Sequence, residues 1–458
     1  MTRVWKCTGS RGFVTLRQIG LVLVAGVSLL VGGMRGGADA APLAHREVLP
    51  SGVVLLVAER PAVPIVTATL TLQAGAVFDP PAKPGVANLT AIMLSQGTAT
   101  RTAPQISEAI EFVGGSLSVE SGTDTARLSF SVLSKDLDLA LDLMGDLLTN
   151  PTFPPAELAK KIPEVLAGLK RSQEDPGTVS YEAFMALVYG SHPYGRPTEG
   201  TEASVPTITR DDILAFYQAY YRPNRAVLAV VGDVSVADLK SRLQARLGGW
   251  TPGGPPLAKP AAPASLAKGV TKTIQREVTQ AAINFGHLGI TRDNPDYYPV
   301  YVMNYLLGGG GSSRLPQKIR EEKGWAYDVG SAFAPGKYAG DFSVTMQTKN
   351  EVAQDAIDAA LAEIRRMRDQ PVTTQELADA KAYLTGSFPL RLDTSAKVVG
   401  MLASIEQHGL GLDYVERYPA FINAVTAADV QRVAQKYLDP DTYALAVVAD
   451  LTKAKLKP

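Results

Sequence analysis

The sequence predicts an α+β fold of two homologous domains, each an antiparallel sheet flanked by helices, joined by a Pro/Gly/Ala-rich linker and closing like a clamshell. Three observations carry this reading. One order of elements occurs twice, a breaker-rich segment separates the two occurrences, and in both a period-2 stretch gives way to helical spacing at matching places.

In the first half an alternating stretch, Ala126 to Leu133 (ARLSFSVL), leads into DLDLALDLMGDLL, whose apolar residues recur at helical spacing. NPTFPPAELAKKIPEVLAGLKRS follows as a Pro-containing turn and a second helix. In the second half DFSVTMQT leads into VAQDAIDAALAEIRRM, and then into DQPVTTQELADAKAYLTGSF. In both copies the second helix starts beside Glu-Leu. Upstream, extended segments (VVLLVAE and TATLTLQAG; QAAINFGHLGI) precede a helix (GVANLTAIMLSQ; DYYPVYVMNYLLG).

The stretch TPGGPPLAKPAAPASLAK, residues 251–268, has the composition of a semi-rigid exposed linker. It sets the expected boundaries: a leader over 1–40, an N-terminal domain over 41–250, the linker, and a C-terminal domain over 269–458. The leader reads as a secretory signal peptide. Arg3, Lys6, Arg11 and Arg17 precede an apolar run from Ile19 to Val31, and Ala38-Asp39-Ala40 supplies a small-x-small cleavage pattern before Ala41. The apolar run is short for a membrane span, and an uncleaved anchor is the alternative. The expected location is the periplasm or the outside of the cell, with no membrane span once the leader is removed.

Lys+Arg and Asp+Glu both count 45; removing residues 1–40 leaves 40 basic and 44 acidic residues. Such a balance gives no footprint for nucleic acid. Cys7 is the only cysteine and lies within the leader, so the mature chain has no thiolate nucleophile and no cysteine ligand. No Gly-x-Ser-x-Gly elbow marks a serine hydrolase. The run Gly308 to Gly311 is followed by Ser-Ser-Arg rather than Lys-Ser/Thr, so it reads as a loop capped into a helix by Ser312 or Ser313, not a phosphate cradle.

The segment 308–333, GGGGSSRLPQKIREEKGWAYDVGSAF, resembles the C-terminal half of pitrilysin- and insulinase-type (inverzincin) metallopeptidases. The resemblance extends over nearly all of residues 45–450. It implies that Arg320 and Tyr327, seven apart, are the family's substrate-binding Arg/Tyr pair. The chemistry is intelligible on its own terms. Peptide hydrolysis builds negative charge on the carbonyl oxygen, and one well-placed donor there is worth about 3 kcal/mol.

Catalytic members hold zinc on a His-x-x-Glu-His helix, with a third ligand from a Glu on a later helix. The matching helix here is PGVANLTAIMLSQGTATRT. Asn88 and Ile92 stand at the two histidine positions and Ala91 at the general base. In PEVLAGLKRSQEDP, Gly168 falls at the third ligand, 76 residues after Ile92. None of the four is a zinc ligand or a proton carrier. The four histidines, His45, His192, His287 and His408, are too scattered to share a helical turn and read as packing or hydrogen-bonding residues.

The resemblance therefore implies a chain of the non-catalytic subunit type. Such a chain has no cofactor of its own. It would supply Arg320 and Tyr327 to a homologous catalytic subunit that keeps an intact His-x-x-Glu-His helix, holds the zinc and cuts peptide. A purely structural or peptide-binding scaffold is the alternative.

Overall fold

The computed structural model describes residues 43–457. The leader and its cleavage site lie outside the described residues. Strands β1 (His45–Val48), β2 (Val54–Glu59), β3 (Ile65–Leu72), β4 (Ser116–Ser121), β5 (Ala126–Leu133) and β6 (Ala226–Gly232) form one sheet. Strands β7 (Val270–Gln275), β8 (Gln280–Leu288), β9 (Ala326–Pro335), β10 (Gly340–Lys349) and β11 (Ala444–Ala449) form a second. Helices of the first half are α1 (Val86–Leu94), α2 (Ala103–Phe112), α3 (Leu137–Thr149), α4 (Pro155–Glu174), α5 (Pro176–Tyr189), α6 (Arg210–Tyr220) and α7 (Val236–Leu247). Those of the second are α8 (Tyr297–Asn304), α9 (Ala353–Asp369), α10 (Thr374–Gly386), α11 (Ser395–Gln407), α12 (Tyr414–Ala424) and α13 (Ala427–Tyr437).

The repeat is visible in the strand order. The first sheet runs β1-β2-β6-β3-β5-β4 and the second β7-β11-β8-β10-β9. Without β1 the two are the same pattern: β2 and β6 are parallel, as are β7 and β11, and every other neighbour is antiparallel. The predicted α+β class with two like halves is the observed one. Residues 251–266 carry neither helix nor strand.

Local chemistry starts the helices where expected. Thr373 N donates to Glu376 Oε2 at 2.8 Å and Glu376 N to Thr373 Oγ1 at 3.1 Å, a reciprocal cap that opens α10. α4 instead starts on Pro155, whose missing N–H costs nothing in a first turn.

One face of each sheet packs on its own half's helices. Leu70, Leu128 and Leu228 meet Leu89, Met144 and Leu243, while Phe285, Val344 and Val447 meet Val302, Ile357 and Val433. The opposite faces are covered by exchange. α5 of the first half lies on β8 and β11 of the second; α11 of the second half lies on β6 and β3 of the first. Val398, Val399 and Leu402 pack with Leu56, Ala229 and Val231, and Phe184 and Val188 with Ala444 and Ala446. Each fully buried side chain of this kind is worth about 1.5–3 kcal/mol. The exchange explains why β6 (AVLAVVG) and β11 (ALAVVA) are continuously apolar, since both of their faces are dry.

Candidate functional site

α1 carries three of the four positions that the family resemblance assigns to a metal site, and α4, which packs against it, carries the fourth. Asn88 and Ile92, four apart, are half-buried on one side of the helix; Ala91 is fully buried. Asp79 fixes the helix start, its carboxylate accepting from Gly85 N at 2.7 Å and Ala87 N at 2.8 Å. Burial pushes the Asp79 carboxyl up to about 6, against the pull of those two N–H groups and of Arg196.

A methyl group built on Gly168 would meet nothing closer than Arg171 Nη2 at 4.0 Å. At the position expected for a third ligand there is thus no side chain, and the space beside it is open. An amide, two alkyl groups and a hydrogen do not fit a zinc ion, and no step of the chemistry is assigned to a metal on this chain. Among the described residues no three His, Cys, Asp or Glu side chains converge. His192 Nδ1 accepts from Tyr194 N at 3.1 Å, and His287 Nε2 accepts from Asp439 N at 3.0 Å, so these two act as acceptors that fix turns.

Arg320 and Tyr327 sit on either side of one tight helix-to-strand junction. Arg320 belongs to a widened helical segment, Pro316–Glu322. The junction is closed by Gly324 N donating to Arg320 O at 3.1 Å and Trp325 N donating to Ile319 O at 3.0 Å. Tyr327 then falls in a β-bulge. Asp328 pairs with Gln347 and Ala326 with Thr348, so Tyr327 is the unpaired extra residue on an edge strand. A bulge re-aims its residue away from the pleat. Tyr327 is 76% exposed. The Arg320 side chain is 52% exposed, with its Nε 3.6 Å from Glu321 Oε1. The junction brings the two residues to one corner of the second sheet but does not hydrogen-bond them to each other.

Packing accounts for Gly308 and Gly310 in the glycine run, whereas Gly311 faces open space. A methyl group on Gly308 would lie 2.5 Å from Ser331 N, and one on Gly310 would lie 2.8 Å from the Tyr305 ring. Ser313 does stand at the start of the following helical turn, where its carbonyl accepts from Gln317 N at 3.0 Å. Its hydroxyl, however, donates back to Gly310 O instead of capping forward.

Sequence reasoning missed a polar wall. Thr67, Thr69 and Thr71 on β3, Arg127, Ser129 and Ser131 on β5, and Ser116, Ser118 and Glu120 on β4 stand in three cross-strand rows. Thr67 and Ser131 hydroxyls are 3.1 Å apart and those of Thr69 and Ser129 are 2.9 Å apart. The wall borders a cavity of ≈ 540 Å³ between the halves, closed by Lys337, Gln407 and His408. The signal that could have found it is the alternation of Ser and Thr in all three strands.

Residues 54–202 match the family described as Insulinase (Peptidase family M16), and residues 207–384 the family described as Peptidase M16 inactive domain. An uncharacterised zinc protease of Streptomyces coelicolor is 28% identical over 399 residues, 86% of this chain and 87% of that protein. Another, of Bacillus subtilis, is 26% identical over 417 residues, 88% of this chain and 98% of that protein. The crystal structure of a peptidase M16 inactive domain from Pseudomonas fluorescens is 30% identical with a TM-score of 0.82, covering 89% of this chain and 98% of that one. A protease from Helicobacter pylori has the same fold, with a TM-score of 0.83 at 18% identity, over 89% of this chain and 99% of that one.

Proposed function

The chain belongs to the insulinase (M16) peptidase family, and from that premise we propose that it is the non-catalytic subunit of a zinc metallopeptidase, active on peptides only together with a homologous catalytic chain. The observation that carries this reading is a half-site. Asn88, Ala91, Ile92 and Gly168 offer neither a ligand set nor a base, while Arg320 and Tyr327 stand exposed at a bulged edge. Within this chain the guanidinium has only its neighbour Glu321 nearby, at 3.6 Å, and both groups remain largely exposed. Set against a partner's cleft, they donate to the carbonyl oxygen of a bound peptide as it becomes an oxyanion. Their part is binding and charge stabilisation; the hydrolytic step belongs to the partner chain, which holds the zinc. The leader-like residues 1–40 support assembly in the periplasm or outside the cell.

The test is reconstitution. The mature chain is mixed with a homologue bearing an intact His-x-x-Glu-His helix, the complex is sized, and kcat/KM on a peptide is compared with that of the homologue alone. A larger complex with raised activity is the expected result. A complex that forms without any gain in activity favours the scaffold reading.

A further inference from the structure

The segment between the halves has the composition of a spacer, yet its side chains are ordered in threes. From Leu257 it runs LAK, PAA, PAS, LAK. The first places of these triplets are Leu257, Pro260, Pro263 and Leu266, and the second place is alanine every time. Burial has the same period. The four first places are half-buried, and every other residue from 251 to 269 is exposed.

A strand repeats every two residues and an α-helix every 3.6, so neither gives this pattern. A 3₁₀-helix repeats every three but is built on i to i+3 hydrogen bonds. Among the described residues no backbone hydrogen bond joins one residue of 257–266 to another, and Pro260 and Pro263 have no N–H to give. A three-residue period without internal hydrogen bonds belongs to the polyproline II helix. At a rise of about 3.1 Å per residue, the stretch from Leu257 to Leu266 spans about 28 Å.

Both ends are held. Trp250 is buried, and its Nε1 donates to Tyr221 O at 3.0 Å. Gly253 N donates to Asn224 Oδ1 at 3.0 Å. Gly254 has φ +88°, and a methyl group on it would lie 2.5 Å from Ala219 O. Buried Arg225 donates to Ala219 O at 2.9 Å and to the carbonyl of Pro255. Taking that carbonyl away would leave a buried guanidinium short of an acceptor, which is costly. At the other end Leu266 packs on the cluster where Phe184 and Val188 of α5 meet Ala444 and Ala446 of β11. The segment therefore starts on the first half and ends in the contact that joins the two.

We propose that residues 257–266 are a polyproline II ribbon seated along the body by its first-of-three side chains, and that it braces the two halves instead of serving as a hinge between them. With the brace seated, the polar-walled cavity between the halves keeps one width. The device needs neither zinc nor a partner chain, so it stands apart from the subunit reading.

The experiment is a cysteine scan of 257–267, one position at a time, labelled with a maleimide. The chain from Ala41 onward has no cysteine of its own, so each thiol is unique. Thiols at 257, 260, 263 and 266 are expected to label about tenfold more slowly than those between them. Uniformly fast labelling, or a period of two, would overturn the ribbon. The brace is tested by moving both prolines one place, with Pro260→Ala, Ala261→Pro, Pro263→Ala and Ala264→Pro together. The composition is unchanged and the rings move to an exposed face. The reporter is Ala446→Cys, a thiol buried in the contact between the halves. Its labelling is expected to speed up about tenfold when the prolines are moved. Circular dichroism checks the fold, and if the proline variant does not fold, Leu266→Ala takes its place. An unchanged labelling rate at 446 would overturn the brace and leave the segment a passive connection.

Discussion

The phenol of Tyr189, on α5, donates to Oδ1 of Asp341, on β10, at 3.1 Å. A helix of the first half thus closes over a carboxyl of the second that has no cationic hydrogen-bond partner among the described residues. Burial pushes Asp341 up from 3.8 to about 6, although the Tyr189 hydroxyl favours the charged form; Tyr181 is the other titratable group nearby.

A folded-state value above the ordinary one means that the folded chain holds this proton more tightly than the unfolded chain. The stability linked to it is complete below about pH 4, falls as pH rises, and is gone above about pH 6. The displacement from 3.8 to about 6 is worth at most about 3 kcal/mol. Asp341→Asn cannot ionise and keeps an acceptor for Tyr189. It is expected to match the parent near pH 4 and to exceed it by about 1–3 kcal/mol at pH 8. Urea melts at the two pH values measure this; a gap that does not change with pH would remove burial as the cause.

Tyr327→Phe and Arg320→Ala, made in this chain only, should each lower kcat/KM of the reconstituted enzyme by about 10²–10³. Tyr327→Phe removes one hydroxyl from an exposed side chain, so assembly and the partner's zinc content should not change; the assembly of Arg320→Ala is checked separately by sizing. The two losses should be less than additive if the groups act on one oxygen. Full activity in the assembled double variant would leave a structural subunit as the better account.

Dialysed protein free of any partner should carry no stoichiometric zinc by metal analysis. One zinc per chain would mean that the alignment placing Asn88, Ile92 and Gly168 at ligand positions is wrong. Asn88→His, Ile92→His and Gly168→Glu together should recover zinc uptake, because Gly168 opens onto free space. Ala91→Glu should lower the Tm without zinc, since it buries an unpaired carboxyl.

Material recovered from the cell envelope should begin at or near Ala41. N-terminal sequencing decides it, and an intact Met1 on membrane-embedded protein would refute the leader.

Unfolding of the two halves should be one event. Trp250 reports on the first half and Trp325 on the second, and they are the only tryptophans after residue 40. Variants that keep one of them each should give coincident urea midpoints. Phe184→Ala, deep in the exchanged contact, should lower both midpoints together, at a cost of about 3–5 kcal/mol. Two separated transitions would show that the halves are held less tightly than their shared cores imply.

Much of this was legible in the sequence. The alternation of ARLSFSVL is β5, and DLDLALDLMGDLL is α3. Periodicity could do this because each of these elements has one dry face. It could not say whose sheet α5 and α11 cover, since a helix shows which of its sides is apolar but not what that side meets. The widened helical turn and the bulge at Tyr327 were equally silent. Both are irregularities of backbone hydrogen bonding, and spacing along the chain does not record those.

The crossing of α5 and α11 bears on how such a chain could arise. A single copy of the repeat would leave one sheet face bare and would offer a helix shaped for that face on another copy. Two free copies would satisfy each other by swapping, as a dimer that dissolves on dilution. Joining them end to end turns that dilution-sensitive embrace into a permanent one, with the connecting segment fixing the local concentration.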